Sequence, residues 1–228
     1  MMAENLKKIQ EKVGARVALV AVTKGRSVDD VMNLVSLGVR VFGENRVQEA
    51  REKFENLKNR TDIELHMIGR LQSNKVREAV GLFDVIQSID SLKLLEIVSH
   101  EAFKIGKKMR VFIQINASKD PAKTGVMPDA IFEFFRNAHE VLCEGSVVVE
   151  GLMTIVEHTP DIEARRPFFT KMKKIFDDLR EIFPPDRVTA NYIEHVNLQH
   201  LSMGMSDDFE VAIEEGATMV RIGRLLFE

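Results

Sequence analysis

The 228-residue chain has one cysteine, no tryptophan and one tyrosine. A lone thiol, Cys143, cannot close an internal disulfide, so packing alone must hold the fold, as suits a reducing compartment. No apolar run approaches the roughly 20 residues that a membrane span requires. The N-terminal MMAENLKKIQEKVG is charged and lacks the apolar core of a signal peptide. A soluble, cytoplasmic protein is expected. An excess of basic charge is missing as well: 32 Lys and Arg stand against 35 Asp and Glu, a net charge of −3. The cations are spread through helical segments, so neither a nucleic-acid partner nor a membrane surface is expected. The histidines show no metal-ligand spacing with carboxylates. GRLQSNK lacks the second half of a P-loop, and no G-x-G-x-x-G is present. Pro/Gly-rich linkers and shifts of composition are absent too, so residues 1–228 read as one domain.

What the chain does have is alternation. Short runs rich in Val, Ile or Phe occur at 17–23, 39–43, 63–69, 83–89, 110–116, 147–155, 198–203 and 218–223. Each is too short for a helix and bounded by polar or turn residues, the pattern of a buried strand. Between them lie segments with apolar residues three and four apart: VMNLVSLG, VQEAREKFENL, KVREAVGLF, LKLLEIVSHEAFKIG, AIFEFFRNAHEVL, FFTKMKKIFDDLREIF and FEVAIEEGA. The charges of VQEAREKFENL read as an ordinary solvated face. Strands that are apolar throughout, alternating with helices, imply a parallel sheet covered on both sides. Eight such units fit a single (β/α)8 TIM barrel, near the lower end of its ~200–400-residue range. A doubly wound open sheet is the alternative. PPDRVTANYIEHVNLQ, 184–199, shows no period and reads as a long loop into strand seven.

In a barrel, the C-terminal strand ends and the loops after them face one pocket. That places Lys24, Glu44, Asn45, His66, Gly69, Gln72 to Lys75, Asn116, Met153, Thr154, Ser202 to Ser206 and Arg221 to Arg224 around one mouth. A lysine at a strand end is commonly just a side chain with its head in water. The alternative is a Schiff-base lysine, with apolar walls leaving a neutral amine able to attack an aldehyde. LSMGMSDDF and VRIGR each carry a glycine after a strand, where backbone N–H groups can approach an anion. Ser206 and Asp207 are candidate helix caps there, and barrels often bind phosphate after strands seven and eight. A reactive amine and a phosphate cup are thus expected at one mouth. His66, inside LHMIG, reads as a hydrogen-bonded structural histidine, and Glu44 as a partner for Lys75 or Arg46.

Taken together, AVTK, FGENRVQEA, HMIGRLQSNK, FDVIQSIDS, GLMTI and LSMGMSDDFEVAIEEGATMVRIGR resemble the pyridoxal 5′-phosphate homeostasis protein family along nearly the whole chain. The resemblance implies a barrel of the alanine racemase N-terminal type, with pyridoxal 5′-phosphate (PLP) held as an aldimine on Lys24. It assigns the phosphate to Ser202, Gly204, Ser206, Gly223 and Arg224, the pyridine nitrogen to Arg221, and the ring's surroundings to Asn45 and His66. Thr23 stands where the family more usually has serine, and the proline often found after the lysine is missing. The implied role is binding, buffering and delivering PLP to apo PLP-dependent enzymes, without a well-defined catalytic turnover. A monomer without a metal is expected. The alternative is a PLP enzyme such as an amino-acid racemase, which needs a second acid/base group, supplied in such racemases by a tyrosine. The only tyrosine, Tyr192, lies in the irregular 184–199 stretch, and no appended domain is expected after strand eight. A class I aldolase ranks last, since its lysine usually comes from a later strand.

Overall fold

The structure, a computed structural model, describes residues 1–57, 62–157, 159–183 and 195–228. It begins with helix α1 (Met2–Val13), which buries Leu6, Ile9 and Val13. Their spacing of three and four marks one helical face, a signal hidden in the sequence by the charges around it.

Eight strands follow: β1 (Ala18–Val22), β2 (Val41–Glu44), β3 (Glu64–Met67), β4 (Val85–Ile89), β5 (Met109–Gln114), β6 (Val147–Met153), β7 (Val196–Ser202) and β8 (Met219–Ile222). They form a closed barrel in sequence order. Closure is made by β1 and β8, which run parallel from Ala18 opposite Met219 to Ala21 opposite Ile222. An open sheet would leave these two strands apart, so the doubly wound alternative is excluded. Every expected strand is present.

The outer layer consists of α2 (Val28–Ser36), α3 (Val47–Phe54), α4 (Val76–Leu82), α5 (Leu92–Lys104), α6 (Ile131–Asn137), α7 (His139–Cys143), α8 (Arg166–Ile182), α9 (Phe209–Glu214) and α10 (Arg224–Phe227). Two sequence expectations need correcting. AIFEFFRNAHEVL is two helices, α6 and α7, which meet at Ala138. The irregular stretch ends sooner than expected, because β7 already begins at Val196; residues 184–194, with Tyr192, lie outside the described residues. No helix among the described residues is long and apolar enough to cross a membrane.

Two hydrophobic clusters hold these layers together. The larger lies between strands and helices and includes Phe42, Phe83, Phe135 and Phe169, all essentially without solvent contact. Burying side chains of this size contributes ~1.5–3 kcal/mol each. The smaller cluster fills the barrel: Val20, Val85, Phe112, Met153 and Met219. Because successive strand residues face opposite sides, the barrel interior also receives polar side chains from the same strands. They form the floor of the site.

Candidate functional site

The chain leaves β1 at Val22 and turns within four residues. Arg26 N donates to Thr23 O at 3.0 Å, and Gly25 sits at φ +69°. Ser27 then caps α2: its hydroxyl accepts from Asp30 N at 3.1 Å, while Asp30 accepts from Ser27 N at 3.0 Å. Between the strand and this turn stands Lys24, exposed, with no hydrogen bond or ion pair among the described residues. The low-dielectric enclosure expected around it is therefore not there. The fold instead supplies a fixed base. Thr23 Oγ1 donates to Glu44 Oε1 at 2.6 Å, and Lys53 Nζ donates to Thr23 O at 2.6 Å and to Glu44 Oε1 at 2.7 Å. All three residues are buried, so the backbone just before Lys24 is pinned from below.

That arrangement corrects two expectations. Glu44 does not pair with Arg46 or Lys75, which bond to Glu49 and Glu78 instead. It bonds to Lys53 of α3, a residue expected on a solvated helix face.

Beside Lys24 opens a cavity of about 500 Å³, lined among others by Asn45, Arg46, Gly69, Arg70 and Lys75. Its wall requires glycine at 69, because a Cβ there would lie 2.2 Å from Asn45 O. Cationic side chains dominate the rim, which suits an anionic ligand.

On the other side of Lys24, where β8 neighbours β1, the loops after β7 and β8 come together. Gly204 has φ +90°, and a Cβ on it would lie 2.6 Å from Ala212 Cβ. Only glycine fits this turn. Met205 N donates to Asp208 Oδ1 at 2.7 Å, and Asp208 is paired with the buried Arg165 at 2.8 Å. Asp208, not Ser206 or Asp207, is thus the residue that fixes the turn ahead of α9. Ser206 is half-buried, and the exposed Arg224, which follows Gly223, bonds to Asp207 and so ties the two loops together.

Beneath this cup, Arg221 Nη1 donates to Ser202 Oγ at 2.7 Å and Nη2 to Thr154 O at 2.7 Å. Both acceptors are neutral. Burial pushes the Arg221 guanidinium down to about 10, with the charge of Asp208 acting in the opposite sense. Ser202 in turn donates to Gln87 Oε1 at 2.7 Å.

His66 lies inside the barrel, fully buried, with both ring nitrogens bonded. Nδ1 accepts from Gln87 Nε2 at 2.6 Å, and Nε2 lies 2.5 Å from Glu64 Oε1. The structural reading of this histidine holds. Lys53, Gln87, Arg165 and Asp208 were missed in the sequence. Gln87 lies within FDVIQSIDS and Asp208 within SMGMSDDF, but nothing in either stretch says which side chain it meets.

The chain belongs to the family described as alanine racemase, N-terminal domain, whose model matches residues 1–228. It also belongs with the pyridoxal phosphate homeostasis proteins: that of Aquifex aeolicus is 39% identical over 227 residues, covering 98% of this chain and 93% of that protein. Among solved structures it is similar to PipY of Synechococcus elongatus PCC7942. The form without PLP matches with a TM-score of 0.89 at 32% identity, and both chains are covered fully. The form with PLP bound matches with a TM-score of 0.84 at 31% identity, again over the whole of both chains.

Proposed function

We propose that this protein binds pyridoxal 5′-phosphate at the C-terminal mouth of its barrel, with Lys24 as the covalent anchor, and holds it for delivery to apo enzymes. One observation carries the reading: a free amine, Lys24, and a buried guanidinium bonded only to neutral acceptors, Arg221, serve the same mouth. Such a pair leaves positive charge for an anionic ligand and a nucleophile for its carbonyl. The PLP-bound PipY structure, at 31% identity over the full chain, supports the same choice of ligand.

When bound, PLP supplies an aldehyde that amines attack. The remaining work belongs to the chain. Thr23, Glu44 and Lys53 hold the backbone from which the Lys24 side chain reaches into the mouth. Ser202, Gly204, Ser206, Gly223 and Arg224 would hold the phosphate, and Arg221 would serve the ring nitrogen. Asn45 borders the ring. Hydrogen bonds to a charged group contribute ~1.5–3 kcal/mol each, so a few of them retain the ligand without the covalent bond. All of these residues come from one barrel, which supports action as a monomer. We place the protein in the cytoplasm, where Cys143 stays reduced.

The test is chemical. After incubation with PLP and reduction with borohydride, peptide mapping should find a pyridoxyl-phosphate adduct on Lys24. An adduct confined to Lys75 or another lysine would overturn the assignment. Delivery is tested by mixing loaded protein with an apo PLP enzyme. Reactivation no faster than with the same total of free PLP would remove the carrier role.

A further inference from the structure

A single line of hydrogen bonds crosses the barrel from the mouth to the opposite pole. Arg221 donates to Ser202, Ser202 to Gln87, Gln87 to His66 Nδ1, and His66 Nε2 to Glu64. Arg110 Nη1 closes it by donating to Glu64 Oε2 at 3.0 Å, while its Nε donates to Glu150 at 2.7 Å. From Arg221 to His66 every donor points the same way, and the line ends on the carboxylate of Glu64. His66 must therefore carry its proton on Nε2 and keep Nδ1 bare to accept from Gln87.

Donor counting shows what this order forbids. The one hydrogen of the Ser202 hydroxyl is committed to Gln87 Oε1, so Ser202 has none to offer a ligand. To give that hydrogen to an acceptor atom of a ligand, Ser202 must lose Gln87 Oε1 as its partner. The remedy with fewest losses is reversal of the Gln87 amide, which turns Nε2 toward Ser202 Oγ and Oε1 toward His66. The other contact of Nε2 is to Met219 Sδ at 3.2 Å, a weak acceptor and a small loss. Oε1 then faces Nδ1, and two acceptors cannot face each other in a buried site without cost. Nε2 cannot surrender its hydrogen, because Glu64 is a carboxylate. His66 must gain a proton.

We propose that ligand binding against Ser202 is coupled to uptake of one proton by His66, transmitted by reversal of the Gln87 side-chain amide. The inference rests on the proposed placement of PLP at this mouth. Gln87 and His66 are positioning residues here; neither touches the ligand. The bond changes balance: Ser202 keeps its own hydrogen and redirects it, and the proton on Nδ1 comes from solvent. Solvent comes nearest to this line at the far pole, where the side chains of Arg110, Glu64 and Glu150 are 34%, 34% and 20% exposed.

The charges facing His66 agree with this direction. Glu64 from β3, Arg110 from β5 and Glu150 from β6 together carry one net negative charge, which an imidazolium at 66 makes zero. From β7 comes His200, whose ring stacks on Phe112 at 5.6 Å and whose pKa is lowered, first by burial, so it contributes little charge. Arg221 of β8 opposes protonation from above, but Ser202 and Gln87 stand between it and His66.

The probe for the test is 4′-deoxypyridoxine 5′-phosphate, which keeps the ring and phosphate but has no aldehyde for Lys24. The full chain, with ¹⁵N-labelled histidine, is followed by NMR at a pH where free His66 is neutral. His66 Nδ1 should be unprotonated without the probe and protonated at saturation. Calorimetry in two buffers of different ionisation enthalpy should count about one more proton taken up by the wild type than by Gln87→Met, which cannot relay the change. Relative to that variant, wild-type affinity should fall about tenfold per pH unit where His66 is neutral in the free protein and protonated in the complex, as one linked proton requires. A His66 Nδ1 that stays unprotonated in the saturated wild type overturns the coupling while leaving the binding site intact, and that measurement needs no variant. If Ser202→Ala binds the probe as well as the wild type does, the placement of the ligand against Ser202 is wrong and the coupling falls with it.

Discussion

Lys53 Nζ lies 2.7 Å from Glu44 Oε1, with 9% and 0% of the two side chains exposed. A buried pair adds little net stability, but breaking it leaves a charge without water or partner. Lys53→Met should therefore cost ~3–5 kcal/mol in urea unfolding. Adding Glu44→Gln to that variant should recover most of the loss, because no unpaired charge then remains at this position. A double variant no better than Lys53→Met would show that the cost lies in packing and not in Glu44.

Gly204 holds the turn above Ser202 with φ +90°, and its missing side chain leaves room for Ala212. Gly204→Ala meets both obstacles at once. The left-handed backbone alone costs an L-residue ~1–2 kcal/mol, and a Cβ 2.6 Å from Ala212 must move one element. We expect loss of at least that much stability together with much weaker PLP binding. Wild-type affinity in a folded Gly204→Ala protein would mean that this turn is not part of the cup.

Glu64 bonds to the barrel interior through His66. The hydrogen bond with His66, ahead of that with Arg110, lowers its pKa from the ordinary 4.5 to about 2 against an opposing effect of burial. A carboxylate whose pKa is depressed by folding stabilises the native state above its unfolded pKa, and this contribution is lost as pH falls through the folded value. The wild type should therefore lose stability relative to Glu64→Gln between about pH 4.5 and about pH 2. Denaturant midpoints across that range are the measurement, and parallel curves for the two proteins would contradict the assignment.

Pyridoxal, which lacks the phosphate, should bind far more weakly than PLP. Losing two or more bonds to a charged group, at ~1.5–3 kcal/mol each, amounts to more than about a hundredfold in affinity. Comparing the two ligands on Lys24→Ala keeps the covalent bond out of the measurement. Equal affinities there would remove the loops after β7 and β8 from the site.

Much of this molecule was legible in the sequence. Eight apolar runs too short for helices, separated by segments of helical period, determine a parallel sheet covered on both faces, and eight of them suffice to close it. Once closed, a barrel brings its strand ends to one mouth whatever the details of packing. For that reason the sequence alone groups Lys24, Ser202, Gly204 and Arg221. Local rules carried the glycines too, since a turn after a strand needs its special backbone wherever it sits.

What only the tertiary structure decided is which side chains meet. Period-two alternation says that His66 and Gln87 leave their strands on a given face, but their contact depends on the stagger between β3 and β4. Lys53 looked like any solvated helical lysine, and the packing of α3 on β2 turned it inward onto Glu44. Asp208 was one of two adjacent aspartates until Arg165, forty-three residues earlier, selected it. Whether Lys24 stands exposed or enclosed was also left open by the sequence, because burial is set by what the neighbouring loops cover. Hydrogen bonds between residues distant in sequence carry no period and no motif. They are fixed by register, and register is set only when the barrel closes.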